Sequence, residues 1–503
     1  MLVSTLLISS TFLFQADEMA KDFKKFFRKE KDPSMRVELV YSLEGEESVS
    51  IAEVLIPVLT DKQSDAARAA RIVLSGFQDH LNRLPLLEVV EEGKKDGRIA
   101  AILHAASDMR WRDFREVGMT YLESDDLECR LWAVNLCGNL KNYLSIESIS
   151  VILASDPNGI IRAAAVQALE QMGLAHEDVA APPLIAALDD ELSAVNVAAC
   201  VALRTVRSKQ AIGPLVELLA SAKGRLSEEV WPTLVAITDN QFNDNPQLWS
   251  DWWQRAKEHY ELPSLAQIEK SRSARAVANA EYHPTNNKTE GSFMGIETSS
   301  RQIVFVIDVS GSMAEEVISK DDFRERGFTQ FTKLDIVREE LARSIDSLGD
   351  DVIFNVHSYA SNVYSWRDKP VKANSLNKKS AMAWVSKLQP LSDKSGKGEQ
   401  GRTNSYGGLM AGLGVQIDPK KRAVVTGGVL DDSELAADTM FFLSDGKPTA
   451  GLLIDTRDIE QAIADVNRFR KVVIHTLSIG NFSSGFLSNL AQANGGVFVD
   501  LGR

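Results

Sequence analysis

The sequence predicts an α + α/β chain, with a helical α-solenoid in its amino-terminal half and a doubly wound α/β domain in its carboxy-terminal half. Short segments that join a basic residue to alanines recur at a nearly fixed period before residue 200. Apolar strands alternate with helical patterns after residue 300. The first of these strands runs directly into Asp308, Ser310 and Ser312. Oxygen-bearing side chains therefore stand where the chain leaves the predicted sheet.

The repeat is marked by a basic or amide residue that opens an alanine-rich helix. The opening residues are Arg36, Arg68, Arg98, Arg130, Arg162 and Asn196, spaced by 32, 30, 32, 32 and 34 residues. Several copies follow an acidic turn, such as Asp125-Asp126 or Asp156-Pro157. A fixed period of this length indicates a solenoid in which each helix pair buries its apolar face against its neighbours. We expect the repeated arginine to reach back to the acidic turn of its own or the next repeat.

A second element of the repeat has the form Pro-Leu-(Ile/Val)-x-x-Leu, at Pro183–Leu188 and again at Pro214–Leu219. Together with the acidic turn and the alanine-rich helix, it resembles HEAT-type repeats, especially their short bacterial form. The resemblance implies a helical repeat domain over residues 17–260 that serves as a docking surface. This half of the sequence contains no recognisable catalytic constellation.

The end of the repeats is marked by Trp249, Trp252 and Trp253, which fall on one helical face. An aromatic stripe at this spacing is typical of a structural cap, and a ligand site is the less favoured interpretation. Residues 261–290 then shift to Ser, Ala, Arg, Asn and Thr with little period, and Pro284–Lys288 is rich in turn formers. We expect this segment to be the linker.

The carboxy-terminal half, residues 291–503, alternates strands with helices. Strands are predicted at 303–307, 351–359, 439–443, 472–479 and 497–499, and helices at 334–348, 380–388, 406–415, 459–469 and 486–493. Such alternation implies right-handed crossovers between parallel strands.

Four further segments flank or interrupt this pattern. Ser292–Ile296 is expected to pack as an edge of the domain, and Ile417–Asp438 to form a long loop. Ala314–Thr332 is a charged insertion, and Ser392–Arg402 is expected to be mobile because it is rich in Lys, Gly and Ser. Segments beside the predicted site either shape the choice of partner or are ordinary solvated loops.

The strand Ile303–Ile307 is apolar throughout and rich in β-branched residues, which favours a strand buried on both faces of a parallel sheet. Ligands of open α/β sheets bind at the carboxyl ends of such strands. The carboxylate of Asp308 and the hydroxyls of Ser310 and Ser312 are hard oxygen ligands. They suit Mg²⁺ or Mn²⁺ better than zinc.

Two more polar segments complete this pattern. Gly401-Arg402-Thr403-Asn404 opens an Ala/Gly/Leu-rich helix, and the strand 439–443 ends in Ser444-Asp445-Gly446. With these residues in place the chain resembles a von Willebrand factor A-type domain with its metal-ion-dependent adhesion site. That family uses Asp-x-Ser-x-Ser, a threonine from a second loop and an aspartate from a third. The matching residues are Asp308, Ser310, Ser312, Thr403 and Asp445.

The resemblance also implies how these residues would hold the ion. Ser310 and Ser312 would bind it directly, Thr403 directly or through water, and Asp308 and Asp445 mostly through water. Such a shell leaves the ion under-neutralised, so it can accept an Asp or Glu oxygen from a protein partner. We therefore expect a non-enzymatic, metal-dependent protein-binding protein that acts in adhesion or as a scaffold.

Three alternatives compete with this function. Asp-x-Ser-x-Ser could simply cap a helix. The chain could be a hydrolase with Ser310 or Ser312 as nucleophile, but no Gly-x-Ser-x-Gly elbow surrounds either serine, and His357 and His475 lie in predicted strands. It could also be an intracellular assembly factor that works with an ATPase complex, because A-type domains occur in such complexes.

Charge and composition restrict the partners. Residues 291–503 hold 25 Lys and Arg against 27 Asp and Glu, a net of −2, so residues 1–290 carry −12 of the total of −14. An acidic solenoid repels phosphate backbones, so we expect no nucleic-acid partner. The three cysteines, Cys129, Cys137 and Cys200, form neither a disulfide framework nor a zinc motif, and we expect them to be small buried residues.

The first residues resemble a leader. Leu2–Phe14 is apolar, is too short for a comfortable membrane span and is followed by Ala16, which predicts a signal peptide over residues 1–16. The expected location is secreted, periplasmic or at the cell surface, with no membrane span in the mature form. A hydrophobic first helix of the solenoid is the alternative, and it fits a cytoplasmic protein.

Overall fold

The computed structural model describes residues 2–62, 64–94, 97–278, 292–293, 295–391, 401–418, 423–424, 437–480 and 485–501. The chain divides into two compact units, Met1–Ala180 with Ile417–Leu430 and Ala181–Gln416 with Asp431–Arg503. The second unit contains the last helices of the repeat half together with the α/β domain. The segments 1–16, 17–260, 261–290 and 291–503 rest on sequence pattern and stay predictions.

The amino-terminal half is helical, as predicted. Its helices are α1 (Leu2–Phe27), α2 (Pro33–Tyr41), α3 (Val49–Leu55), α4 (Ser64–Ser75), α5 (Leu84–Glu92), α6 (Arg98–Asp108), α7 (Arg115–Thr120), α8 (Leu127–Asn139), α9 (Ile146–Ser155), α10 (Gly159–Gly173), α11 (Glu177–Ala186), α12 (Ser193–Val206), α13 (Ile212–Ser221), α14 (Arg225–Thr238), α15 (Pro246–Ala256) and α16 (Leu265–Ala278). Small residues bring these helices together. A Cβ at Gly138 of α8 would lie only 2.7 Å from the Cα of Ala168 in α10.

The repeated acidic turns begin helices and anchor the repeated arginines. Asp126 caps α8, because its Oδ1 accepts hydrogen bonds from the backbone N–H groups of Glu128 and Cys129 at 3.0 Å each. Arg130 donates from Nε to Oδ2 of Asp156 in the next turn, at 2.7 Å, and also to a carbonyl of its own turn. Arg162 donates to the carbonyl of Asp156 at 2.9 Å. The expected arginine-to-turn contacts are confirmed.

The tryptophan stripe packs at the end of the repeats. Trp249 of α15 is fully buried, and its ring lies edge-on to that of Trp252 with centroids 5.8 Å apart. Tyr260 packs edge-on to Trp252 and donates to the carbonyl of Thr238. The stripe is therefore packed structurally, as expected of a cap. The predicted linker, 261–290, contains helix α16, whose Ala, Lys, Arg and Glu residues are good helix formers even without an apolar stripe.

Helix α1 runs without a break past Ala16, the residue expected to precede a signal cleavage site. Its second half is packed, with Ala16, Ala20 and Phe23 buried, and α1 lies beside α2 and α3. The side chains before Gln15 lie outside the described residues. Within the described ranges, no helix is both long and apolar enough to cross a membrane.

The carboxy-terminal half forms the predicted α/β fold. Its strands are β1 (Ser292–Phe293), β2 (Ile296–Glu297), β3 (Gln302–Asp308), β4 (Ile353–Tyr359), β5 (Val363–Ser365), β6 (Val371–Lys372), β7 (Ile417–Asp418), β8 (Ala423–Val424), β9 (Thr439–Ser444), β10 (Val473–Ser478) and β11 (Phe498–Asp500). Its helices are α17 (Lys320–Glu325), α18 (Lys333–Ser347), α19 (Ser375–Val385), α20 (Ser405–Gly412), α21 (Thr456–Asn467) and α22 (Gly485–Ala493). Each strand and helix predicted from the alternating pattern is present, with ends shifted by a few residues.

The main sheet has the order β11-β10-β9-β3-β4-β5, and β6 also pairs with β4. The pairs from β11 to β4 are parallel, whereas β5 and β6 are antiparallel to β4. Strand β3 lies in the centre, buried from Ile303 to Asp308. In this register Asp308 lies beside Tyr359 of β4, and Ile307 beside Leu443 of β9. The carboxyl ends of the three central strands therefore meet at one edge.

The segments outside the regular pattern divide into three groups. In Ser292–Ile296, β1 and β2 pair with each other, and Phe293 packs on Phe305 and Phe441 of the main sheet. The charged insertion Ala314–Thr332 has its own apolar anchor, in which the rings of Phe323 and Phe328 meet edge-on.

The third group lies largely outside the described residues. Residues 392–400 of the segment expected to be mobile are not described. Of the long loop at 417–438, the short pair β7 and β8 and the last two residues are described.

We expect the contact between Arg130 and Asp156 to hold adjacent repeats together. The two side chains are only 12% and 4% exposed, so Arg130→Met leaves a buried carboxylate without its cation and costs about 3 kcal/mol locally. Amide hydrogen exchange in α8 and α10 should become on the order of 100-fold faster. Lys94→Met, which removes an exposed ion pair with Glu92, should leave exchange there unchanged. Equal exchange in both variants would contradict this role of Arg130.

Candidate metal-binding site

The site begins with a buried carboxylate at the carboxyl end of the central strand. Asp308 is fully buried. Its Oδ1 accepts a hydrogen bond from the backbone N–H of Ser310 at 2.8 Å, and its Oδ2 accepts one from the hydroxyl of Ser444 at 3.1 Å. The N–H of Val309 donates to the carbonyl of Tyr359 at 2.8 Å, which ties the loop to β4. Three neighbouring strands therefore fix this loop.

The two serines and the second aspartate lie together, as the sequence predicts. The hydroxyl oxygens of Ser310 and Ser312 are 3.1 Å apart. The hydroxyl of Ser312 donates to Oδ1 of Asp445 at 2.8 Å, across 133 residues of sequence. The Asp445 side chain is itself fully buried. These contacts form one connected set of oxygen atoms at the edge of the sheet.

Thr403 is carried to the same edge by helix α20 and the loop before it. The N–H of Gly311 donates to the carbonyl of Gly401 at 3.0 Å and so joins the first loop to the second. Thr403 is buried, and its N–H donates to the hydroxyl of Thr449 at 2.9 Å. The structure thus joins the loops that carry all five predicted residues, and it links Ser310, Ser312 and Asp445 by direct hydrogen bonds.

The glycines of α20 explain how Thr403 comes so close to the sheet. A Cβ at Gly408 would lie 2.8 Å from Cδ1 of Tyr359, and one at Gly412 would lie 2.7 Å from Cε of Met440. Asn404 caps the helix, because its Oδ1 accepts from the N–H of Gly407 at 2.9 Å. Larger residues at these glycines would push α20 away from β3 and β4, and Thr403 with it.

The sequence analysis missed two charged residues at this site. Lys333, the first residue of α18, donates from Nζ to Oδ2 of Asp445 at 2.9 Å and to Oε2 of Glu315 at 2.8 Å. The Lys333 side chain is 8% exposed, whereas that of Glu315 is 68% exposed. A lysine opening a helix is the one signal that could have singled it out, because the positive end of the helix dipole disfavours a cation there.

Electrostatics at the site follow from burial. Burial, and secondly the charge of Asp445, raise the pKa of Asp308 from 3.8 to about 7. For Lys333, burial alone lowers the pKa, but the hydrogen bonds and charges of Glu315 and Asp445 outweigh it, so the pKa is raised. Lys333 is therefore a charged ammonium beside two carboxylates. Ionisation of Asp308 is unfavourable because the group is buried, and a nearby cation would make it more favourable.

The donor set fits a hard divalent cation. It offers carboxylate and hydroxyl oxygens within hydrogen-bonding distance of one another and no sulfur or imidazole ligand among the five predicted residues. Mg²⁺ accepts such oxygens and usually meets one or two carboxylates. The raised pKa of Asp308 fits as well, because two buried carboxylates near one another call for a compensating positive charge.

The histidines considered for a hydrolase lie in the core, as expected. His357 of β4 and His475 of β10 are both buried, and burial lowers the pKa of each to about 4. The ring of His357 bonds to the hydroxyl of Ser365 at 2.8 Å, and the ring of His475 stacks on Phe441. Both rings are therefore engaged within the sheet. The cysteines are also buried, and burial raises their pKa values to about 11 or 12.

Comparisons with known proteins agree with both halves of this structure. The sequence model of HEAT repeats matches residues 146–231, which span α9 to the middle of α14. The chain is 26% identical over 207 residues to inter-alpha-trypsin inhibitor heavy chain H3 of Mesocricetus auratus and 26% identical over 198 residues to heavy chain H1 of Sus scrofa. The chain thus contains HEAT repeats and a carboxy-terminal α/β domain similar to von Willebrand factor A-type domains, which is called the A-type domain below.

The matches with the heavy chains cover 40% and 39% of this chain, and 19% and 18% of the heavy chains themselves. This chain therefore spans about a fifth of the length of these relatives. Among solved structures, a von Willebrand factor type A protein from Catenulispora acidiphila is 19% identical, with a TM-score of 0.27 over 41% of this chain and 39% of that chain. The PilB minor pilin from Streptococcus sanguinis is 14% identical, with a TM-score of 0.26 over 44% and 59%.

The raised pKa of Asp308 predicts the pH dependence of the metal-free A-type domain. The folded state holds the proton up to about pH 7, whereas the unfolded chain releases it near 3.8. Stability in EDTA should therefore fall as the pH rises through this window, by about 4 kcal/mol from this group. Asp308→Asn removes the ionisation and keeps an acceptor for Ser310. In urea unfolding, its advantage over wild type should grow from pH 4 to pH 8; a constant difference would contradict the assignment.

Proposed function

We propose that the A-type domain binds Mg²⁺ or Mn²⁺ and uses the ion to capture an acidic group of a protein partner. The observation that carries the proposal is the connected set of oxygens from Ser310, Ser312 and Asp445 beside the buried carboxylate of Asp308. These groups come from two loops at the carboxyl edge of a parallel sheet, where open α/β folds bind their ligands.

Each residue has a distinct role in this proposal. The hydroxyls of Ser310 and Ser312 would bind the ion, Thr403 would contribute from the second loop, and Asp308 and Asp445 would balance its charge. The bound ion supplies a positive centre with an open position. Because the protein side offers neutral hydroxyls and few carboxylates, a carboxylate from outside can complete the shell. The chemistry is binding, and we propose no catalysis at this site.

The likeness to the heavy chains supports a role in protein interaction in general. The HEAT repeats would provide a second docking surface, and their net charge of −12 disfavours nucleic acid as a partner. We also propose that the chain is exported, on the strength of the apolar run Leu2–Phe14. In an intracellular assembly factor, by contrast, that run would stay in the mature protein as part of α1.

Calorimetric titration of the full chain with Mg²⁺ tests the metal site. We expect wild type to bind the ion, and Asp308→Ala or Thr403→Ala to abolish binding while circular dichroism stays unchanged. A matched control is Asp438→Ala. Asp438 is another carboxyl paired with a serine, Ser300, and its pKa is also raised by burial, but it precedes β9 at the opposite end of that strand. Binding that survives in Asp308→Ala, or is lost equally in Asp438→Ala, would rule out the assigned ligands.

Capture of an acidic group can be tested with synthetic peptides. A panel that carries a single Asp or Glu in varied surroundings is compared with matched peptides that carry Asn or Gln. We expect retention of acidic peptides only, in Mg²⁺ and not in EDTA, with at least a tenfold preference over the amides. Equal retention in EDTA, or by Asp308→Ala, would contradict a role of the metal in partner binding.

A further inference from the structure

Lys333 occupies a place where a lysine is costly. It begins α18, whose preceding Thr332 accepts a hydrogen bond from the N–H of Asp335. The backbone N–H groups of a helix start already carry partial positive charge, so a cation there is unfavourable. Its side chain is also largely buried, and burying an ammonium is unfavourable unless anions compensate it. Helix stability therefore does not account for this residue.

The ammonium of Lys333 is fixed from several sides. Its Nζ donates to Asp445 at 2.9 Å and to Glu315 at 2.8 Å, and its backbone N–H donates to the carbonyl of Glu315 at 2.8 Å. Gly480, with φ of +133°, leaves room for the side chain, because a Cβ there would lie 3.2 Å from Nζ. The lysine is thus held against the carboxylate that would balance the metal ion.

The charges around the site indicate how Lys333 affects its electrostatics. Asp308 and Asp445 are buried carboxylates, and Lys333 is the charged partner of Asp445. Glu315, at the exposed rim, is the second partner of the same ammonium. Without Lys333, two neighbouring buried carboxylates would face each other in the metal-free protein. With Lys333, part of that charge is neutralised before any divalent ion arrives.

We propose that Lys333 is an internal counter-cation that stabilises the metal-free site and thereby weakens its affinity for the divalent ion. The inference rests on the proposed metal-binding function and adds its regulation. The ammonium repels an incoming Mg²⁺ and already satisfies one oxygen of Asp445. Glu315 acts in the opposite direction, because its carboxylate offsets the ammonium. The site is thereby set to load only when the ion is abundant or an acidic partner completes its shell.

The proposal predicts that removing the charge of Lys333 and removing the charge of Glu315 have opposite effects on Mg²⁺ affinity. In the full chain, Lys333→Met keeps the length of the side chain but removes its charge, and Mg²⁺ binding should tighten about tenfold or more. Glu315→Gln removes a negative charge, which solvent partly screens, and binding should weaken about threefold. Lys320→Met is the matched control: it removes a lysine of the insertion Ala314–Thr332 whose ion pair is with Glu316, and affinity should not change.

Thermal unfolding provides a second measurement. In EDTA, Lys333→Met should unfold at a lower temperature than wild type, and saturating Mg²⁺ should raise its Tm by more than it raises that of wild type. A lysine that merely positions Asp445 would behave differently, because its loss would weaken Mg²⁺ binding. Unchanged or weaker binding in Lys333→Met therefore overturns the inference.

The outcomes also separate this inference from the function on which it rests. If neither wild type nor Lys333→Met binds Mg²⁺, the metal site itself is refuted. If wild type binds and Lys333→Met binds equally, only the role of Lys333 fails. Should Lys333→Met not fold even with Mg²⁺ present, Glu315→Gln decides, since Glu315 is exposed. Weaker Mg²⁺ binding by Glu315→Gln supports the counter-charge, and equal or tighter binding overturns it.

Discussion

The burial of one carboxylate at the end of the central strand constrains the whole A-type domain. Asp308 is fully buried, and its two oxygens accept hydrogen bonds from Ser310 and Ser444. A buried carboxyl group is tolerated when its oxygens are hydrogen-bonded, and it either keeps its proton, as the raised pKa of Asp308 indicates, or needs a nearby cation once it ionises. This requirement orders the loop after β3, sets the end of β9 beside it and leaves a set of oxygens that suits a hard cation.

The same physical rule organises the repeats, with a different cation. There the buried acid is Asp156, and the compensating charge comes from the guanidinium of Arg130 in the preceding repeat. In the A-type domain the buried acid is Asp445, and among the described residues the cation that contacts it is the ammonium of Lys333. Arginine suits the first task because its planar fork can bond a carboxylate and a carbonyl at once. Both halves of the chain thus use a buried acid as a fixed anchor.

Much of this architecture was predictable, because it rests on periodic patterns. The period of the repeats and the strands β3, β4, β9, β10 and β11, which alternate with helices, follow from local sequence. The five candidate site residues were predicted from the family resemblance. Short elements were missed. β5 and β6 pair with β4 through only a few residues, and α16 has no apolar stripe. The insertion Ala314–Thr332 was predicted from its charged residues, yet its Phe323 and Phe328 are buried in the core. Such segments take their structure from tertiary contacts, which carry no period.

The sequence alone predicted which residues would hold a metal, because Asp-x-Ser-x-Ser after an apolar strand, together with Thr403 and Asp445, resembles the pattern of the A-type family. Only the tertiary structure decided the charge of that site. Lys333 lies 112 residues from Asp445 and opens a helix on a different segment. No local spacing connects the two. Their contact exists because parallel crossovers carry distant strand ends and helix starts to one edge of the sheet.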